Sequence, residues 1–507
     1  MKKSEGIPLP DSVEKKVYQV IIGRLDGERL GETVYHNKCV ELVDKGIGGF
    51  IIFGGSIEEM RGFIRDLQAR ACIPLFIASD IERGAGQQIE GLTVFPSQMA
   101  VAAALDPWLK DDETLLRKLI EAVTDEALYC GINMPLIPVL DVNRDPDNPI
   151  ICTRAFSDNP DKVSLFGSIY IDVLQQYGLI SCPKHFPGHG DTSTDSHIAL
   201  PVITKKKADL YAVDLKPFVS AIRNGTDSIM IGHLKVPIFG EMPASLSKHI
   251  ITELLRTELG FEGLIITDAL NMHALLEFGD VSVECLKAGA DVLLHPDDPD
   301  ETAVALLSAI RGKRLAPDLL DSAITRVLAA KMRFIKNPPP ELDRIDLAKH
   351  SALSLELSQR SVTLLKNTSG CLPLGDSSVR VILAGDEKHF SLSPFAGLTE
   401  SPAFGSIKEQ DADTTLIAIF TSVSAWRGSS GISGDEKMRL LSIIKNANRS
   451  IVVSFGSPYI LRYFSDADVL IAAYDPTIQA QAAVISCLKG LNPFAGSLPV
   501  EMSEVSP

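Results

Sequence analysis

Short, wholly apolar runs recur along the first two thirds of the chain, and nearly all of them end on an acid or a histidine. They are GGFIIFGG around Phe50 to Phe53, PLFIASD ending at Asp80, INMPLIPVLD ending at Asp141, LISCPKH ending at His185, SIMIGH ending at His233, LIITD ending at Asp268 and ADVLLH ending at His295. A weaker one is VYQVIIGRL, from Val17 to Leu25. Runs that are apolar throughout belong to strands buried on both faces. Amphipathic stretches lie between them. From Ser247 to Leu259, Ser247 is placed to cap, Ile250, Ile251, Leu254, Leu255 and Leu259 form one stripe, and Gly260 ends the helix. Strand and helix alternate about eight times, which predicts a (β/α)8 TIM-type barrel. Such a barrel carries its active site at the carboxyl ends of its strands, where Asp80, Asp141, Lys184, His185, His233, Asp268 and His295 fall.

After Phe334 the segment IKNPPPELDR cannot continue a helix. The expected organisation is a catalytic barrel over 1–336, a linker over 337–345 and a smaller α/β sandwich domain over 346–507. The last holds a helical stretch near Leu347 to Arg360 and the strand-like runs VTLLKN, VRVILAG, TTLIAIF, SIVVSFG and VLIAAY. No G-x-G-x-x-G follows a strand and no GxxxxGK[ST] occurs, so nucleotide-binding readings lose support. The segment WRGSSGISGDE, Trp426 to Glu436, reads either as a loop over the barrel mouth or as plain surface. The formal charge of −16 argues against nucleic acid and anionic membranes as partners. The eight cysteines are scattered without a CxxC pair, as reduced core residues are. The first residues, MKKSEGIPLPDSVEKK, lack the apolar stretch of an export signal, and no apolar run approaches the roughly 20 residues that cross a bilayer. These features predict a cytoplasmic protein, and the expected assembly is a monomer or homodimer.

The segment KHFPGHGDTSTDSH, residues 184–197, concentrates reactive side chains in a loop, because Pro187, Gly188 and Gly190 forbid a helix. Three readings apply: a metal site drawing on His185, His189, Asp191 and His197, a structural loop, or an organic acid/base site. The histidines are not placed i, i+4 on a helix, since the segment is a loop, which weakens the first. In an extended loop residues two apart point the same way, so Asp195 can accept from one imidazole nitrogen of His197 while the other faces substrate. Such a carboxylate raises the histidine's pKa and makes it a reversible proton carrier near neutral pH. Lys184 and His185 offer donors for the hydroxyls of a polar ligand. Asp268, after the strand-like run Leu264 to Thr267, is either a nucleophile, an acceptor for substrate hydroxyls, or an N-cap for the next helix.

These segments resemble glycoside hydrolase family 3, and within it the β-N-acetylglucosaminidases. KHFPGHGDTSTDSH is similar to that subfamily's signature loop, and MPASLSKHIITELLRTELGFEGLIITDALNM to the family segment carrying the nucleophile. RSVTLLKNTSGCLPL and the closing AGSLPV are similar to the family's second domain. The resemblance implies a retaining glycosidase with Asp268 as nucleophile, His197 paired with Asp195 as general acid/base, and Asp80, Arg154, Lys184 and His185 as substrate-binding residues. It implies no metal and no cofactor. Most retaining glycosidases use two carboxylates about 5–5.5 Å apart, so a His–Asp dyad departs from that scheme. Family β-glucosidases share the aspartate and the Lys-His pair but not the Asp-x-His loop, whose presence implies N-acetylated amino sugars. The substrates so implied are terminal β-N-acetylglucosamine on cell-wall (muropeptide) or chitin fragments. Two positions depart from the pattern: Gln88 stands where an arginine is often found, and Ala269 where a second aspartate is common. The alternatives are a β-N-acetylglucosaminide phosphorylase, a family 3 β-glucosidase or β-xylosidase, and a non-catalytic sugar-binding protein.

Overall fold

The computed structural model describes residues 9–502 apart from 193, 197–198, 276, 369, 390–393, 399–411 and 424–430. Trp426 therefore lies outside the described residues. The chain forms two compact units, the first comprising Met1–Val94, Arg117–Val142 and Pro160–Leu347, the second Phe95–Leu116, Asn143–Asn159 and Ala348–Pro507.

In the first unit seven strands lie in the runs anticipated from sequence: β1 (Ile21–Asp26), β2 (Gly49–Phe53), β3 (Phe76–Ser79), β4 (Met134–Pro135), β5 (Ser228–Ile231), β6 (Leu264–Thr267) and β7 (Leu293–Leu294). Five form one parallel sheet in the order β4-β3-β2-β1-β7, and β5 pairs with β6, also parallel. The result is an α/β fold with a parallel half-barrel. Single parallel bridges extend it, Val139 to Lys184, Phe186 to Ile231 and Ile266 to Val292. The ladder thins where the sequence places Pro135, Pro138 and Pro183, because proline has no N–H to donate. Side chains two apart on successive strands share one core: Phe76 and Ala78, Met134 and Leu136, Ile180 and Cys182, Leu264 and Ile266, Val292 and Leu294. Val327, on the helix Pro317–Lys336, belongs to the same cluster.

Local signals account for the flanking helices. Thr33–Lys45 ends at Gly46, whose φ of +88° suits a residue without Cβ. Pro299–Arg311 starts on Asp298, whose carboxylate accepts from the N–H groups of Asp300 and Glu301. His249–Glu258 buries the expected stripe Ile250, Ile251, Leu254 and Leu255, but winds in the wider π form. Ser247 Oγ accepts from Ile250 N at 3.4 Å, a weak cap.

The second unit is a sheet of β8 (Thr363–Asn367), β9 (Val379–Gly385), β10 (Thr414–Phe420), β11 (Ser450–Phe455) and β12 (Val469–Ala472), in the order β8-β12-β11-β10-β9. All pairings are parallel except β12 with β8. Alternate residues of the strands feed two apolar layers. One includes Ala480, Ala483, Val484 and Leu488 of the helix Ile478–Leu488. The other includes Leu440 and Ile444 of Gly434–Asn446 together with Met99, Ala100, Ala103 and Cys152 from far earlier in the chain. The compact units are thus interleaved along the sequence, whereas the sequence reading divides the chain once, at the proline-rich segment. Among the described residues no helix is long and apolar enough to cross a membrane.

Candidate active site

At the carboxyl end of β3, Asp80 and Glu82 converge on one cation. Lys184 Nζ lies 2.6 Å from Asp80 Oδ1 and 2.7 Å from Glu82 Oε1. The lysine is buried and so is Glu82, whereas the Asp80 side chain is 33% exposed. A buried ammonium shared by two carboxylates is held by charge-assisted hydrogen bonds, which leaves the exposed carboxylate positioned to accept from ligand hydroxyls. Sequence reading selected Asp80 and Lys184 but missed Glu82, whose signal was the Asp-x-Glu spacing directly after a strand. Gln88 Nε2 donates to the Asp80 carbonyl at 3.2 Å, so this position contributes to the local turn.

His185 follows Lys184 across a cis peptide bond. Its Nδ1 lies 2.7 Å from Oδ2 of the fully buried Asp141, while Oδ1 of the same carboxylate accepts from the backbone N–H of His189 at 2.7 Å and of His185 at 3.3 Å. Burial alone would raise the Asp141 pKa, but the charges and hydrogen bonds of His185 and His189 outweigh it and hold the carboxyl below its ordinary value.

Asp268 sits directly after β6 and is half-buried. Its backbone N–H bonds the Ile231 carbonyl at 3.0 Å, and its Oδ1 accepts from Ala269 N at 2.8 Å. The turn is braced by His233, buried at the end of β5: Nε2 lies 3.0 Å from the Ala269 carbonyl and Nδ1 2.8 Å from Ser245 Oγ. A carbonyl only accepts, so Nε2 carries the proton. Ala269 thus serves the turn through its main chain. The charges of Lys184, Asp80 and Asp268 all act on the Cys182 thiol, which burial pushes up to about 12. A thiol so placed is inert. His295, after β7, is lowered to about 4, first by burial and then by Arg24; its ring packs against Phe53 at 5.5 Å.

The loop beyond His185 is tied down at Asp191. Lys205 Nζ bridges Asp191 Oδ2 at 2.7 Å and Asp214 Oδ2 at 2.9 Å. Burial raises the Asp214 carboxyl to about 6, with Lys205 lowering it and Asp191 raising it. Gly188 has φ +122°, and a Cβ there would meet Asp214 Cβ at 2.8 Å, so glycine is required. Asp195 is buried and its carbonyl accepts from Ala199 N at 3.0 Å. His197 lies outside the described residues. Arg154 is in the second unit, in a short turn over Cys152–Arg154; its guanidinium donates to the Ile150 carbonyl at 2.9 Å and its own carbonyl accepts from Gln98 Nε2 at 2.8 Å. Of the sequence-selected residues, Asp80 and Lys184 are in direct contact, and His185 and Asp268 stand at strand ends on either side of β5 in the same unit. Among the described residues no three His, Cys, Asp or Glu side chains are grouped to hold a metal ion.

Residues 12–330 match the family model described as the glycosyl hydrolase family 3 N-terminal domain. A β-hexosaminidase A from Pseudoalteromonas piscicida is 31% identical over 409 residues, covering 72% of this chain and 67% of its own. The structure of a glycoside hydrolase family 3 β-N-acetylglucosaminidase from Paenibacillus sp. str. FPU-7 superimposes with a TM-score of 0.85 at 26% identity, over 98% of this chain and all of that one. A β-glucoside phosphorylase superimposes with a TM-score of 0.86 at 25% identity, over 97% and 95% of the two chains.

Proposed function

From the premise that the chain belongs to glycosyl hydrolase family 3, and is a glycoside hydrolase, we propose that it removes terminal, non-reducing β-linked N-acetylglucosamine with retention of configuration. The observation that carries this reading is the placement of Asp268 at the end of β6, on a braced turn, in the same parallel half-barrel as the Asp80–Lys184 pair. In the first step an Asp268 carboxylate oxygen attacks the anomeric carbon while the imidazolium of His197 gives its proton to the departing glycosidic oxygen. In the second, His197 takes a proton from water as that water attacks the anomeric carbon and releases the Asp268 carboxylate. Asp195 holds the His197 imidazole and stabilises its charged form. The anionic Asp268 also favours the oxocarbenium-like transition state. Asp80, Lys184, His185 and Arg154 bind the sugar. The route uses no metal and no cofactor.

The (β/α)8 barrel belongs to the same proposal. The run 180–186 is its fifth strand, supported on one side by Cys182 N to Ile137 O (2.9 Å) and Lys184 N to Pro138 O (3.1 Å), on the other by Met230 N to Pro183 O (3.0 Å) and Phe186 N to Met230 O (2.8 Å). The catalytic domain is drawn from residues 1–336 apart from 95–116 and 143–159, which fold with the α/β sandwich domain of 346–507, and 337–345 is the linker. We place the enzyme in the cytoplasm, as a monomer or homodimer acting on cell-wall or chitin fragments, without nucleic-acid or membrane partners.

The test is initial rates on aryl β-N-acetylglucosaminide and aryl β-glucoside. The acetamido sugar is preferred, and Asp268→Ala lowers kcat by roughly three orders of magnitude or more, as for lost nucleophilic catalysis. A variant keeping a tenth of the activity would remove Asp268 from the role. The second reading is phosphorolysis, favoured by the match to the β-glucoside phosphorylase over nearly the whole of both chains. Rates that depend on added phosphate, with sugar 1-phosphate as product, decide for it.

A further inference from the structure

Three N–H donors meet one buried carboxylate beside the Lys184–His185 pair. Asp141 follows Leu140, whose own N–H bonds the Lys184 carbonyl at 2.6 Å, so the strand end carrying Asp141 is laced to the strand end carrying His185. Oδ1 takes both main-chain N–H groups, of His185 and His189, and Oδ2 is left for His185 Nδ1. The Asp141 side chain is wholly buried, so it does not itself reach a ligand. Whatever it does for the reaction it does through His185.

We propose that Asp141 is a positioning residue that holds His185 in the Nδ1–H tautomer and thereby presents Nε2 to the sugar as a hydrogen-bond acceptor. A carboxylate accepts only, so the proton shared between Oδ2 and Nδ1 belongs to the imidazole, and in the neutral ring Nε2 keeps its lone pair. The adjacent residues then have opposite roles. Lys184 can only donate, while His185 Nε2 accepts, a combination matched by hydroxyl groups, each of which can both give and take a hydrogen bond. The inference rests on the reading of His185 as a sugar contact.

The replacement Asp141→Asn keeps size and shape but can turn an N–H toward Nδ1, which drives the proton to Nε2 and makes that atom a donor. The experiment is a double-mutant cycle on aryl β-N-acetylglucosaminide with wild type, Asp141→Asn, His185→Ala and the double variant, together with ¹⁵N spectra of histidine-labelled wild type, His185 being assigned by its loss in His185→Ala. Asp141→Asn lowers kcat/KM roughly 10- to 100-fold, mainly through KM, the range for losing a hydrogen bond to a charged group. In the His185→Ala background it has no further effect, because its partner is gone. An additive loss in that background would mean that Asp141 acts through the fold and would overturn the proposal, leaving His185 as a sugar contact. No loss in His185→Ala itself would overturn that contact and the proposal together. If Asp141→Asn does not fold, the wild-type spectrum at neutral pH decides. Protonated Nδ1 with bare Nε2 supports the proposal, and an Nε2–H tautomer or an imidazolium overturns it.

Discussion

Two histidines that never meet the reacting bond in the proposed route show how much of this site is made by buried polar groups. His233 donates to the Ala269 carbonyl and pins the turn that aims Asp268. His233→Ala removes that donor and lets the carboxylate drift; since a displacement near 1 Å can cost about 10²-fold, kcat falls by about one to two orders of magnitude with KM little changed. An unaltered kcat would show that the turn holds without it. His295 is neutral in the fold, lowered to about 4, whereas the unfolded chain takes up its proton near pH 6.5. Below that pH the unfolded state binds more protons than the native one, so stability is lost as pH falls from about 6.5 toward 4, by roughly 3 kcal/mol in all. His295→Asn suits the φ of +48° and removes this contribution. Urea midpoints for wild type and variant therefore draw together at pH 7.5 and separate at pH 5 in the variant's favour; equal gaps at both pH values would sink the argument. The candidate residues Asp80, Lys184, His185 and Asp268 were legible in sequence because each ends an apolar run. Glu82 was marked only by its Asp-x-Glu spacing after β3, and the bracing role of His233 was not legible, since a hydrogen-bond partner distant in sequence leaves no local periodic mark.

At the level of elements, periodicity identified the strands well and their pairing poorly. The runs around Pro135, Pro138 and Pro183 read as continuous strands, yet proline withholds ladder donors, so β4 is reduced to two residues and the run 180–186 is held by single bridges. The helix Pro317–Lys336 shows a second limit of pattern reading. Its Lys331 breaks the apolar stripe but is wholly buried, with Nζ donating to the Gly48 carbonyl at 2.7 Å and to Gln19 Oε1 at 3.1 Å, and lying 4.6 Å from the Phe76 ring. It joins the helix to the segments that lead into β1 and β2. Burial drives its pKa well below the ordinary lysine value. Below pH 10.5 the unfolded chain binds the proton more readily than the native one, so this lysine's contribution to stability improves as pH rises toward 10.5. Lys331→Met leaves two acceptors without their donor but ends the titration. The wild type therefore gains on the variant in thermal midpoint between pH 7 and pH 10, and a difference independent of pH would show the amine to be charged in the native state.

The whole molecule is assembled from segments that the sequence order does not group. Local pattern marks where a helix is and which stripe is apolar, but not which sheet the stripe covers. Gln98–Ala104 is flanked by stretches assigned to the first unit, yet Met99, Ala100 and Ala103 lie in the same apolar layer as Ile417, Ile419, Val452 and Leu470 of the second unit's sheet. Polar contacts repeat the pattern. Ser97 N bonds Asp475 Oδ2 at 2.6 Å, Arg360 pairs with Asp112 at 2.6 Å, Asn143 Nδ2 donates to Tyr459 Oη at 3.0 Å, and Ser157 Oγ to the Pro499 carbonyl at 2.5 Å. A fragment cut at the proline-rich linker, residues 346–507, would keep all five strands of that sheet but lose part of one covering layer. It would expose the apolar faces of β10, β11 and β12 to water and leave Asp475 and Tyr459 without the partners named above. Exposed strands with unpaired polar groups both favour aggregation over a single native state. Expressed alone, the fragment is therefore expected to lack a cooperative thermal transition and to bind a hydrophobic dye, while the full chain shows a cooperative unfolding of this sheet. A fragment that melts cooperatively, with near-ultraviolet dichroism of its tyrosines intact, would show that residues 95–116 and 143–159 rest on a sheet that is already stable without them.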